Sequence, residues 1–285
     1  MKYKIPYKKT DKFKLPVLSI GTWEMGGRYS ADSSHNDNQD IQAIKRALEL
    51  GITHIDTAEI YANGHAEELV AEAIKEYNRS DLFITSKVPA PHQGYDDLIK
   101  SAQASIKRLN TNYIDLYLLH SPSAVPLKES MKAMDTLVEN ELIKHYGVSN
   151  FIISDLEEAL SHSKYGVVNN QIHVSLTARA YEEKGVLEFC TKHNILVSAF
   201  RPLDKGKLPN ASDKLMEEMK EKYSRPASQI ALRWIIQQPN MVAIFKAAQI
   251  DHLEEDLGAL EWKLDKSDVR ILTDEYPTGK TFIYN

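Results

Sequence analysis

Cysteine is nearly absent from this chain, and the scarcity narrows what it can be. Cys190 is the only one in 285 residues, so an intramolecular disulfide is excluded and a thiolate metal cluster is out of reach. Within VLEFC, on a helix-like stretch, it reads as a small buried hydrophobe. Long apolar runs are missing too, and no segment reaches the length of a membrane span. The N-terminal MKYKIPYKKTDKFK has lysines but no apolar secretory core. A cytoplasmic protein with no membrane partner is expected. Positive charge is in deficit, with 35 Lys+Arg against 40 Asp+Glu and a net charge of -5, so nothing draws it generally to nucleic acid. Its ten histidines include no HxH or HExxH pair, so no metal site is expected. No glycine-rich turn joins a strand to a helix, which removes the Rossmann arrangement.

What is present is an alternation of short apolar runs with helical patterns. An opening hairpin is expected from KYKIP and KFKLP flanking KKTD, after which VLSIG starts the first barrel strand. Residues 38–50 place Ile41, Ile44, Ala47 and Leu48 on one helical face, closed by Gly51. GITHID, LFITSK, YIDLYLLH, IKHYGVS, VVNNQ, ILVSAF and MVAIFK follow as strands, each trailed by a helix pattern. An insertion, DKLMEEMKEKYS, precedes the helix PASQIALRWIIQQ, and a last helix DKSDVRILTDE precedes the tail. Eight strand–helix units without a linker predict one α/β domain over residues 1–285. Its architecture is a single (β/α)8 barrel with an N-terminal β-hairpin and an extra C-terminal helix. The loop from Glu24 to Asp37, rich in Gly, Ser, Asp and Asn, is expected to be mobile and to lie on the active face.

The strands break off at chemically capable side chains: Asp56, Lys87, His120, Asn150, Gln171, Arg201 and Lys246. In a barrel such positions converge at one mouth. Four residues stand out there: Asp56, Lys87 and His120 ending strands two, three and four, and Tyr61 just past strand two. Singly, each has an ordinary reading, as a helix cap, a solvated strand end, a core histidine or a packing tyrosine. Together they form a proton-transfer set. The Lys87 ammonium is expected to lower the Tyr61 pKa toward neutrality, while Asp56 holds the lysine charged. A neutral His120 donates to the same carbonyl oxygen, so a developing alkoxide is protonated as hydride arrives at carbon.

The runs GTWEMGG, GITHIDTAEIYANGHAEELVAEAI, LFITSKV, SIKRLNTNYIDLYLLH, GVSNF and PASQIALRWII resemble the aldo-keto reductase family. The resemblance covers nearly the whole chain. It implies a nicotinamide-dependent enzyme on a (β/α)8 barrel that reduces a small aldehyde or ketone, with Tyr61 as general acid. It implies NADPH (NADP+) as the usual cofactor, with NADH use possible. Ser149, Asn150 and Gln171 would hold the carboxamide, and Phe200 would stack on the nicotinamide where the family usually has tyrosine. Gly21, Thr22, Trp23 and Asp56 join the cofactor-binding set. Arg201, Pro202, Leu203 and Lys205 stand in the pyrophosphate-crossing loop. Trp23, Tyr61 and His120 would bound the substrate.

The adenosine end departs from the family pattern. After Lys246 come Ala247 and Ala248 in place of a hydroxyl residue, His252 stands at the arginine position, and Asp256 replaces an asparagine beside Glu255. The bidentate arginine fork is missing, which weakens discrimination for a 2′-phosphate. The short tail YPTGKTFIYN and the compact SPSAVP loop imply an open pocket. A second reading implied by the resemblance is a cofactor-binding redox sensor or regulatory subunit with slow turnover. Nothing in the sequence specifies an oligomeric state.

Overall fold

Runs rich in Val, Ile and Leu with no polar face are what parallel strands buried on both sides require. Most of the eight barrel strands are of this kind, while His54–Asp56 and Asn169–His173 bury polar side chains, and the eight close on themselves. The structure, a computed structural model, describes residues 3–210, 212–246 and 250–278. An antiparallel hairpin, β1 (Tyr7–Lys9) and β2 (Lys14–Pro16), precedes the barrel. The barrel strands are β3 (Leu18–Gly21), β4 (His54–Asp56), β5 (Phe83–Val88), β6 (Ile114–Leu119), β7 (Ile143–Ser149), β8 (Asn169–His173), β9 (Leu196–Phe200) and β10 (Met241–Phe245). Each pairs in parallel with its chain neighbour, and β10 pairs with both β9 and β3 to close the ring.

Helices α1 (Asp37–Leu50), α2 (His65–Ile74), α3 (Tyr95–Arg108), α4 (Leu127–Glu139) and α5 (Ile153–His162) follow the first five barrel strands in turn. A short α6 (Ala180–Glu183), not apparent from periodicity, precedes α7 (Val186–Lys192). The insertion forms α8 (Lys214–Tyr223) ahead of α9 (Ala227–Gln237), and α10 (Ile250–Leu257) and α11 (Lys266–Glu275) complete the order. The ends of α1 show why the sequence stops where it does. The Asn36 side chain accepts from the Gln39 N–H, and Gly51 takes φ 109°, a left-handed conformation that costs glycine little.

Period-two alternation sorts the side chains. Leu116 and Leu118 of β6 face the barrel interior with Leu196 and Val242, where Phe13 and Leu15 of the hairpin segment plug the base. Tyr117 and Leu119 face outward into the larger core beneath the helices. Each fully buried aliphatic side chain of this kind contributes roughly 1.5–3 kcal/mol. The hairpin sits later than its turn residues suggest: Lys8 and Lys9 are paired, and the reversal falls at residues 10–13. Thr10 closes it, its N–H donating to the Phe13 carbonyl and its Oγ1 accepting from the Phe13 N–H. The loop after β3 lies on the strand C-terminal face and is tied down there. The Gly26 N–H and the His35 ring both meet Asp40 Oδ2, at 2.8 and 2.6 Å.

Candidate active site

The strand ends converge as barrel geometry demands. Asp56 ends β4, Lys87 lies one residue from the end of β5, and His120 follows β6 directly. Tyr61 opens a tight turn after β4 in which Ala62 and Asn63 take φ 49° and 55°. Two consecutive non-glycine residues in the left-handed region store strain, which clusters at functional sites. Here the strain is supported by the Ala62 N–H donating to the Arg28 carbonyl at 2.8 Å.

Lys87 is wholly buried, yet its ammonium uses all three donors. They reach Asp56 Oδ1 at 2.6 Å, the Thr57 carbonyl at 2.8 Å and Tyr61 Oη at 3.2 Å. Burial opposes the lysine charge, but Asp56 and then Tyr61 outweigh it, and the Lys87 pKa lies above its ordinary value. The second Asp56 oxygen accepts from Gln171 Nε2 at 2.7 Å. That bond ties the Gln171 amide, which also borders the cleft, to the carboxylate. Thr22 lies behind the site, its N–H donating to the Asp56 carbonyl at 2.9 Å.

Tyr61 departs from the sequence expectation in sign. Its pKa is raised above 10, because burial outweighs the lowering by Lys87, and Asp56 adds to the rise. A phenol held protonated is what a proton donor needs. The His120 pKa is pushed well below the ordinary histidine value, first by burial and then by Lys87, so the ring is neutral as anticipated. Its Nδ1 is buried without a partner, which leaves Nε2 to serve the cleft. The Tyr61 ring stands edge-on to both His120 and Trp23, with centroids 5.7 and 5.0 Å away.

A cleft of about 1180 Å³, open to solvent, runs across this face. Gly21, Trp23, Asp56, Tyr61 and His120 border it together, and Ser149, Asn150, Gln171, Phe200, Arg201 and Lys246 continue the wall. Ser149 Oγ donates to the Gln171 carbonyl at 2.8 Å. Asn150 takes φ 64°, and its Nδ2 donates to the His120 carbonyl and to Ser149 Oγ. Neither side chain caps α5. Asn150 Oδ1 is buried and unpartnered, an acceptor that suits an amide N–H. Phe200 stacks on His173, with rings 5.4 Å apart and nearly parallel. Burial and Arg201 bring the His173 pKa down to about 4, so this stack is uncharged at neutral pH.

Other predicted positions lie off the cleft wall. Pro202 and Leu203 continue the loop after β9, and Lys205 is exposed in the turn beyond. His252 is exposed on α10. Glu255 accepts from Ser228 Oγ at 2.7 Å, while Asp256 is buried and its pKa is pushed up to about 7 by burial and then by Glu255. Ala247, Ala248 and the Asp251 side chain lie outside the described residues, as does most of the tail. Lys246 forms an ion pair with Glu24 across the mouth at 3.2 Å.

Tyr29, Ile60, Pro89, Ala90, Ser121, Ile244 and Phe245, none of them singled out from the sequence, complete the lining. Pro89 and Ala90 lie just past the end of β5, and His173 shares a face with Gln171 by strand alternation, so those three were within reach of pattern. Among the described residues no helix is long and apolar enough to cross a membrane, and no His/Cys/Asp/Glu group is suited to a metal ion.

Comparison with known proteins follows the same lines. The family model for the aldo/keto reductase family matches residues 17–276. The methylglyoxal reductase YeaE of Escherichia coli is 33% identical over 270 residues, covering 93% of each chain. A solved thermostable aldo-keto reductase, Tm1743, in complex with the inhibitor epalrestat is 39% identical with a TM-score of 0.89, covering 94% of this chain and 99% of its own. An aldo/keto reductase from Klebsiella pneumoniae, solved with NADP and acetate, is 31% identical with a TM-score of 0.85, covering 100% of this chain and 99% of its own.

Proposed function

Because this chain belongs to the aldo/keto reductase family, we propose that it reduces small aldehydes or ketones to alcohols with NADPH, the whole of residues 1–285 acting as one catalytic unit. The observation that carries this reading is the direction of one hydrogen bond. Lys87 donates to the Tyr61 oxygen, so the phenolic hydrogen is free to be given to a substrate oxygen in the cleft. When bound, the nicotinamide supplies hydride to the carbonyl carbon.

The chain's own residues do the rest. Tyr61, kept protonated by burial, hands its proton to the carbonyl oxygen as negative charge develops there. The positive charge of Lys87, fixed by Asp56, stabilises the tyrosinate that remains. Neutral His120 donates a second hydrogen bond to the same oxygen and orients the carbonyl. Trp23 walls the substrate side. The donor set on the opposite wall fits a nicotinamide. The unpartnered Asn150 Oδ1 would accept from the carboxamide N–H, and Phe200 offers an aromatic face.

Lys246 and Arg201 supply the positive charge for the phosphates, and the solved Klebsiella relative carries NADP. Without an arginine at position 252, the choice against NADH is weak. The test is steady-state oxidation of NADPH and NADH by the purified protein with methylglyoxal and a panel of aromatic aldehydes. Turnover with a modest NADPH preference is expected. Tight cofactor binding with no turnover on any aldehyde would overturn the reading in favour of a cofactor-sensing role.

A further inference from the structure

Several charges around the cleft are paired, and two cations among the described residues are not: Arg201, which lies over Phe200, and Arg28 on the side of Trp23. Glu24 meets Lys246 at 3.2 Å, Glu59 meets His92 at 2.8 Å, and His65 lies between Asp37 and Glu68. Among the described residues Arg28 has no carboxylate partner. Its guanidinium lies instead over two aromatic rings, 5.9 Å from the Trp23 centroid and 5.3 Å from that of Tyr29. Those two rings are themselves in edge contact, and both border the cleft.

The segment that presents Arg28 is built to hold its place. A bridge between Gly27 and Ala31 closes the turn. Gly27 has φ 126°, and a Cβ there would meet the Ser30 carbonyl at 2.3 Å, so only glycine fits. The Arg28 carbonyl accepts from Ala62, the residue after Tyr61. The Arg28 main chain is therefore fixed relative to the proton donor by contacts that do not involve its charge, and the guanidinium is placed by its two rings. Trp23 touches both the guanidinium and the Tyr61 ring, and Tyr29, Ile60, Pro89 and Ala90 add apolar lining to the cleft.

We propose that Arg28 is a specificity-determining residue that receives a carboxylate at the far end of an aromatic or apolar carbonyl substrate, whose body rests on Trp23 and Tyr29. This rests on the cleft being a carbonyl-reducing site. A guanidinium stacked on rings keeps its fork of donors open to solvent, and it has lost less freedom to bind than a lysine would.

The experiment compares kcat/KM for para-carboxybenzaldehyde and for its neutral methyl ester, in wild type and Arg28→Gln, at low and high salt. An exposed charge pair is worth about two- to fivefold. Wild type should prefer the acid by that factor, and salt should shrink the preference. Arg28→Gln should abolish it while leaving ester turnover unchanged, which also shows that the variant is folded. Equal use of acid and ester by wild type, or a preference that survives in Arg28→Gln, overturns the proposal while the reductase reading stands. Failure of wild type to reduce either compound while it turns over methylglyoxal overturns the proposal alone, and failure on every aldehyde overturns both.

Discussion

Replacing Asp56 by Asn removes one charge from a pair in which the lysine side chain is 0% exposed and the carboxylate 4%. The change is nearly isosteric, so packing is kept while the buried Lys87 is left with neutral acceptors only, among them the Thr57 carbonyl and Tyr61 Oη. Breaking a buried pair from one side costs about 3–5 kcal/mol, a large part of the roughly 5–15 kcal/mol that holds a typical domain together.

The pH dependence should change sign as well. In the wild type the folded Lys87 pKa lies above 10.5, so its contribution is complete below that value and is lost only as pH rises through the raised one. In Asp56→Asn the loss of hydration on burial is no longer outweighed, and the folded pKa should drop below the unfolded one. The unfolded chain then binds more protons, and the variant gains stability as pH climbs toward 10.5. Urea denaturation followed by circular dichroism, at about pH 7 and about pH 10, reads both effects. The gap between variant and wild type should narrow at the higher pH. The double variant Asp56→Asn with Lys87→Met should recover much of the loss, because no buried charge remains. A loss under about 1 kcal/mol, or a gap indifferent to pH, would mean that Asp56 does not hold the Lys87 charge.

Two further outcomes follow from the cofactor side. Glu24→Gln frees Lys246 from its ion pair and should tighten NADPH by up to about fivefold while leaving NADH unchanged; dissociation constants from fluorescence titration check it, and an equal change in both would count against Lys246 meeting the 2′-phosphate. Asp256, with its pKa raised to about 7, binds more protons folded than unfolded, so wild-type stability should fall as pH rises from about 4 to about 7. Asp256→Asn should flatten that slope and be more stable at about pH 8, by at most about 4 kcal/mol, as read by thermal melts across that range.

Much of the fold was legible because each element carries its own period. Strands buried on both faces read as unbroken apolar runs, and α1 announces its end with Gly51. Asp56, Lys87 and His120 were legible because a polar residue closing an apolar strand has few places to go except the barrel mouth. The Tyr61 pKa was not legible in the same way. It depends on how much water burial removes, and spacing holds no information about that. The Gln171–Asp56 bond joins residues far apart in the chain, chosen by rotamer rather than pattern. The Glu24–Lys246 pair and the placement of Arg28 depend on loop conformation, where left-handed residues such as Glu24 and Ala62 set directions that no periodicity encodes.

The central claim is that Tyr61 gives the proton. Tyr61→Phe removes the hydroxyl and keeps the ring that packs on Trp23 and His120. The direct measurement is the single-turnover rate of aldehyde reduction with enzyme in excess and cofactor saturating, alongside the cofactor dissociation constant. A fall of about 10²- to 10⁴-fold in rate is expected, with cofactor binding unchanged. A Phe variant that reduces aldehyde at the wild-type single-turnover rate would contradict it, since the proton would then come from another group.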